Sequence, residues 1–312
     1  MLSHPLSVKH LVTVAALTRG DVMQLIGSAD RYARVVKRNG GCDDLKGSVM
    51  ASLFYEPSTR TSCSFKAAML RLGGGVIDVD VNTCSMQKGE TFTDTVRTLS
   101  TYADCIAIRH PKRNSMVMAA ASSNVPIINC GEGDGEHPTQ ALLDVYTIHE
   151  EIGFDCPINI GILGDLKHSR TVHSLILCLS KVSRNITFYL VAPDTLELPS
   201  EYLVSDMQFV EKTCIEDCIG LLDVLYVTRI QEERFPTKAE YQSVKDSYIV
   251  DEALMRMAKK KMIVMHPLPR KGEIAKEVDR DSRAAYFRQM RYGMFMRMAI
   301  LSKMMMRIRF YD

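Results

Sequence analysis

Short apolar runs that read as buried strands alternate with helical patterns along this chain, and the alternation stops and starts again. SVMASLF at 48–54, GVIDVD at 75–80, CIAI at 105–108 and VPIIN at 125–129 form a first series. Phe65, Ala68, Met69 and Leu72 recur at helical spacing between the first two runs, and Phe92, Val96 and Leu99 mark one face of a helix over 90–102. PTQALLDVYTIHEEIG at 138–153 predicts a long helix. INIGILG at 158–164, ITFYLVA at 186–192, DVLYVT at 223–228 and MIVM at 262–265 then form a second series. Such alternation calls for parallel strands covered by helices. The fold class expected is α/β, with two doubly wound domains, each holding a mostly parallel sheet flanked by helices. A length of 312 residues, more than one ordinary core, agrees with two domains. The pattern places them at 1–142 and 143–292, with a C-terminal helix at 293–312 returning to the first.

Charge excludes some partners. The 39 basic and 37 acidic side chains leave a net charge of +2, which gives no reason to expect a nucleic acid or a membrane. No apolar run approaches the ~18 residues of a membrane span. LVTVAAL at 11–17 is short for a signal sequence and reads as a buried strand or loop. GMFMRMAILSKMMM, interrupted by Arg297 and Lys303, reads as a packed amphipathic helix. The nine cysteines are odd in number and contain no Cys-x-x-Cys, which argues against a disulfide framework or a zinc site and for a reducing compartment, the cytoplasm.

Several polar clusters stand directly after strand-like runs, where open α/β sheets bind ligands. Ser58-Thr59-Arg60-Thr61 follows a strand and opens a helix, whose N-terminal N–H groups and dipole suit an anion. Ser58 alone reads as a helix cap, but three hydroxyls and an arginine in one turn point to phosphate. Arg109 follows CIAI, and His137-Pro138-Thr139-Gln140 opens the long helix. Lys167 and Arg170, in GDLKHSRT after another strand, suggest a second anion site. Arg229 and Gln231 follow DVLYVT, and a second arginine is what a dicarboxylate requires. None of these turns has the Gly-x-Gly-x-x-Gly spacing of a dinucleotide site.

FYEPSTRTSCSF, Arg109-His110-Pro111, His137-Pro138-Thr139-Gln140 and His266-Pro267-Leu268-Pro269 together resemble the aspartate carbamoyltransferase family. The likeness runs over nearly the whole chain, and KKKMIVMHPLPR resembles the transcarbamoylase domain of the animal multifunctional pyrimidine-synthesis polypeptide. The resemblance implies transfer of a carbamoyl group from carbamoyl phosphate to the α-amine of L-aspartate, with no cofactor and no metal. It implies that Ser58, Thr59, Arg60, Thr61, Arg109, His137 and Gln140 hold carbamoyl phosphate. The carbonyls of Pro267 and Leu268 accept from its amide, with a cis bond between Leu268 and Pro269. Thr61, Arg109 and His137 become the donors to the developing oxyanion, and Arg170, Arg229 and Gln231 the aspartate ligands. The resemblance also implies that Lys88, an aspartate ligand too, and Cys84 reach the site of a neighbouring subunit in a homotrimer with shared sites, and it fits fusion to other domains of pyrimidine synthesis.

Two positions depart from the family pattern. Cys84 replaces a serine, and Ser169 stands where glycine often precedes the matching arginine, a strained choice if that backbone has positive φ. The competing readings are a transcarbamoylase with ornithine or another amine as acceptor, a degenerate domain without turnover, and a nucleotide-binding α/β protein. The His-Pro-Leu-Pro loop and the pair Arg170 and Arg229 favour aspartate among them.

Overall fold

The computed structural model describes residues 6–232, 235–245 and 247–309, and the chain divides into two compact units. One comprises Met1–Tyr146 with Met290–Asp312, the other Thr147–Gln289.

The first unit begins with helix α1 (Arg19–Asn39), started by a reciprocal capping box between Thr18 and Asp21. Strands β1 (Val49–Phe54), β2 (Gly75–Val79), β3 (Cys105–His110) and β4 (Ile127–Glu132) follow. They pair in the order β2-β1-β3-β4, all parallel. Helices α2 (Thr59–Arg71), α3 (Phe92–Leu99) and α4 (Ser115–Ser122) make the crossovers. Ala51, Leu53, Ile106, Ile108 and Ile127 from the strands pack with Val96, Leu99, Met116 and Ala119 from α3 and α4. The apolar run at 11–17 is a loop: Leu11 bridges to Ile128, and Leu11 and Val14 are buried. Helix α5 (Pro138–Glu151) leads into the second unit, and α9 (Tyr286–Arg309) leads back into the first.

The second unit holds β5 (Ile158–Leu163), β6 (Ile186–Val191), β7 (Gln208–Lys212), β8 (Val224–Val227) and β9 (Ile263–Met265). Their order is β7-β6-β5-β8-β9, again all parallel. Helices α6 (Arg170–Val182), α7 (Lys238–Val244) and α8 (Glu252–Met257) belong to this unit. Leu163, Val191, Leu225, Val227 and Val264 share its core with Leu254, Met255 and Tyr286. The sequence reading lacked β7, an edge strand with partly exposed residues and no continuous apolar run. The stretch 231–245 is rich in charge. Part of that stretch is α7, capped by Thr237 accepting from the Glu240 N–H, while Glu233 and Arg234 lie outside the described residues.

Because every strand pair is parallel, the carboxyl ends of the strands lie along one edge of each sheet. The strand order reverses between β1 and β3 in the first unit, and between β5 and β8 in the second. Reversal points of this kind open the crevice where α/β sheets bind ligands. Gly164 marks the second one: its φ is 119°, and a Cβ there would meet the Thr228 carbonyl oxygen at 2.3 Å. No side chain fits where β5 and β8 end so close together.

Candidate active site

In the first unit, three of the sequence clusters fall on the reversal edge. Ser58–Thr61 follows β1, Arg109 is in the last turn of β3, and His137 follows β4 to open α5. Ser62 N–H bonds to the Ser58 carbonyl at 3.1 Å, closing the first turn of α2. Ser58 occupies the N-cap position, yet its side chain makes no capping hydrogen bond, so the capping role read for it is not what the hydroxyl does. Thr61 is 5% exposed and Arg60 is open to solvent.

Arg109 is oriented by its Nε, which donates to Glu56 Oε2 at 3.1 Å. That bond leaves the terminal nitrogens of the guanidinium unspent on Glu56. Partial desolvation, and then the charge of Arg109, lower the pKa of Arg60. Two guanidiniums close enough to oppose each other's charge are what an anion would relieve. His137 and Gln140 are both buried, and His137 Nδ1 lies 3.4 Å from Thr139 Oγ1. The neighbouring His110 serves structure: its Nδ1 accepts from Lys112 N–H, and it packs between Tyr55 and Phe92 with centroids 4.5 and 4.8 Å away. Burial first, then Lys112, lowers its pKa.

Cys84 precedes and Lys88 ends a short 3-10 helix, Ser85–Lys88, in the same unit. The Cys84 thiol contacts the Val81 carbonyl at 3.5 Å, and Lys88 is exposed.

In the second unit the loop after β5 is strapped by its own side chains. Asp165, fully buried, accepts from the His168 backbone N–H at 2.9 Å, and His173 Nε2–H donates to the Leu166 carbonyl at 2.8 Å. Arg170 opens α6 behind this loop. Ser169 has φ −83°, so serine replaces glycine there without strain.

Arg229 follows β8 and lines a cleft of about 380 Å³ with Tyr241, Lys245, Tyr248, Lys271 and Glu273. Arg170 and Gln231 do not line it. Glu273 is committed elsewhere: Oε1 accepts from His266 Nε2–H at 2.7 Å, and Oε2 from the Lys271 and Gly272 N–H groups at 2.9 Å. Burial works to raise the Glu273 pKa, but His266 and three backbone N–H groups outweigh it and hold it near 2. His266 Nδ1 in turn accepts from Leu268 N–H at 2.7 Å. Leu268 has φ 53° and the Leu268–Pro269 bond is cis. With Glu273 engaged in its hydrogen bonds, the cleft presents Arg229, Lys245 and Lys271, a cationic lining that suits carboxylates.

Sequence analysis assigns no role to Glu56, although FYEPSTRTSCSF contains it, or to Glu273, yet they hold Arg109 and His266. Acids in loops carry no local signal of that work.

Comparison with known proteins decides the family. A family model described as aspartate/ornithine carbamoyltransferase, carbamoyl-P binding domain, matches residues 9–150, and its Asp/Orn binding domain counterpart matches 157–304. The aspartate carbamoyltransferase catalytic subunit of Archaeoglobus fulgidus is 45% identical over 300 residues, covering 96% of this chain and 100% of that one. This chain belongs to the aspartate/ornithine carbamoyltransferase family.

The multifunctional protein pyr-3 of Neurospora crassa is 49% identical over 311 residues, 97% of this chain. The chain spans only 17% of that protein's length. A solved aspartate transcarbamoylase from Trypanosoma cruzi, in complex with carbamoyl phosphate and aspartate, superposes with a TM-score of 0.89 at 44% identity. The match covers 94% of this chain and 96% of that one. The two matched carbamoyltransferase domains each carry one of the reversal edges described above.

Proposed function

We propose that the chain is an aspartate carbamoyltransferase, moving the carbamoyl group of carbamoyl phosphate to the α-amine of L-aspartate, with release of phosphate, in pyrimidine synthesis. The observation that carries this reading is the opposed pair Arg60 and Arg109, on the turn after β1 and the end of β3, beside a helix start rich in hydroxyls. The complexes formed by the Trypanosoma enzyme support the identity of both substrates.

The amine of aspartate attacks the carbamoyl carbon, a tetrahedral intermediate forms, and the C–O bond to phosphate breaks. Ser58, Thr59, Arg60 and Thr61 bind the phosphate, and Thr61, Arg109 and His137 donate to the oxyanion. Removing one such donor typically costs about 10²–10³ in rate. Gln140 and the carbonyls of Pro267 and Leu268 receive the carbamoyl amide. Arg170, Arg229 and Gln231 hold the carboxylates of aspartate. In this reading the phosphate ligands belong to the first unit and the aspartate carboxylate ligands to the second, which also supplies the Pro267 and Leu268 carbonyls for the carbamoyl amide. Positioning of two substrates supplies much of the acceleration, and no side chain is required as a nucleophile.

The assembly is a homotrimer in which Cys84 and Lys88 serve a neighbouring subunit's site. The exposure of Lys88 on a short helical loop supports that role. The chain works in the cytoplasm, a reading supported by nine cysteines of which none is in a disulfide. Its place inside longer multifunctional relatives supports fusion to other pyrimidine-pathway domains.

Incubation with carbamoyl phosphate and either aspartate or ornithine tests the reaction. Carbamoyl aspartate and phosphate form in equal amounts with aspartate alone; carbamoylation of ornithine instead contradicts the reading. Mixed oligomers of Arg60→Ala and Lys88→Ala subunits test the sharing, which fails if no activity returns.

A further inference from the structure

Two buried charged residues, Asp144 and Arg297, have no role in the reading above, and Asp144 is bonded to Gln140, which has one. Gln140 and Asp144 lie one turn apart on α5, 6% and 0% exposed, and Gln140 Nε2 donates to Asp144 Oδ1 at 2.8 Å. Arg297 of α9 is buried as well, with its guanidinium 5.2 Å from the centre of the Phe65 ring. Its Nε finds no hydrogen-bond partner among the described residues. Burial lowers its pKa to about 10, with Asp144 among the groups acting the other way, so it stays charged at neutral pH. A buried guanidinium is costly unless a negative group compensates it, and Asp144 is a carboxylate whose charge acts on it in that sense.

This arrangement decides which way the Gln140 amide faces. An ionised carboxylate only accepts hydrogen bonds. Turning the amide over would set Gln140 Oε1 against Asp144 Oδ1, lone pair to lone pair, in a site closed to water. With Nε2 held, Oε1 is the end offered to a ligand, and an acceptor selects an N–H. We propose that Asp144, backed by Arg297, is a positioning residue that locks the Gln140 amide, so that the site takes an acyl phosphate bearing an NH₂ and rejects one bearing a methyl group. The proposal rests on the carbamoyl phosphate reading and adds the source of its selectivity. Sites built to bond a substrate N–H reject analogues lacking it far more strongly than apolar pockets reject an extra methylene.

The test is Asp144→Asn in the assembled enzyme, against three probes: carbamoyl phosphate, acetyl phosphate and inorganic phosphate. An asparagine can donate or accept, so the Gln140 amide is free to turn. The KM for carbamoyl phosphate rises about tenfold, the value of one well-made hydrogen bond, while inhibition by acetyl phosphate and by phosphate stays within roughly threefold. In a Gln140→Ala background the same change shifts nothing further, since Asp144 acts through Gln140. If Asp144→Asn does not fold, the pair Asp144→Asn with Arg297→Met removes the buried charge together with its partner and carries the same comparison. Equal weakening of all three probes, no weakening at all, or an added loss in the Gln140→Ala background overturns the proposal. A wild-type enzyme that produces carbamoyl aspartate yet binds acetyl phosphate as well as carbamoyl phosphate overturns the proposal alone. Absence of carbamoyl aspartate overturns the functional reading, and the proposal with it.

Discussion

The two candidate half-sites are built differently. In the first unit Thr61, His137 and Gln140 are nearly closed to solvent, and Arg109 is tethered to Glu56. In the second, Arg170, Arg229 and Gln231 are half-buried on loops or a helix start, and the loop after β9 is held by hydrogen bonds of 2.7 Å at both His266 ring nitrogens. In the proposed reaction the first arrangement fixes donors where charge develops. The second holds recognition groups on connections that a scaffold of Asp165, His173, His266 and Glu273 keeps in shape. A preorganised half should set the rate, and a loop-borne half should set the choice of acceptor.

Breaking the first half is expected to have the largest effect. Arg109→Ala removes a ligand to both phosphate and oxyanion, so kcat falls by about 10²–10³ with folding unchanged in thermal melts. A loss confined to KM would erase the contrast between the halves. Arg229→Ala comes next: KM for aspartate rises by about 10², the lower end of losing one partner of a desolvated charge pair. The KM for carbamoyl phosphate stays nearly constant, and a parallel rise there would mean that the halves do not divide the substrates.

Glu273 sharpens the scaffold side of the comparison. Its pKa is held near 2 in the folded chain against 4.5 as reference, so the stability it contributes is complete above 4.5 and is lost as pH falls through 2. The loss is on the order of 1–3 kcal/mol. Urea unfolding at pH 7 and pH 3 shows a smaller difference for Glu273→Gln than for the wild type; an equal difference contradicts the hydrogen-bonded account. The smallest effect belongs to Cys84→Ser. A hydroxyl donates better than a thiol, so the KM for carbamoyl phosphate is equal or lower, and a clear loss of activity contradicts the shared-loop assignment.

Much of this was legible in the sequence because both the strands and the anion-binding turns are local features. Continuous apolar runs of β1, β3, β5 and β8 announce buried parallel strands, and Ser58–Thr61 is contiguous. Edge strand β7 lacks such a run because it is partly exposed, and α7 hid in a charged stretch whose start depends on the Thr237 cap. Glu56 and Glu273 were not legible as anchors because their pairing with Arg109 and with His266 of the His-Pro-Leu-Pro loop follows only from the folded backbone, as does that of Asp144 with Gln140. Ser169 shows the reverse: sequence comparison raised a strain that φ −83° removes.

Binding of N-(phosphonacetyl)-L-aspartate, which joins a phosphonate to an aspartyl group, tests the division of labour most directly. At 100 times its dissociation constant it stabilises the wild-type fold by about 2.7 kcal/mol. Arg60→Ala and Arg229→Ala each abolish that stabilisation at the same concentration, while inorganic phosphate still protects Arg229→Ala and no longer protects Arg60→Ala. No stabilisation of the wild type, or phosphate protection lost in Arg229→Ala and kept in Arg60→Ala, contradicts the account.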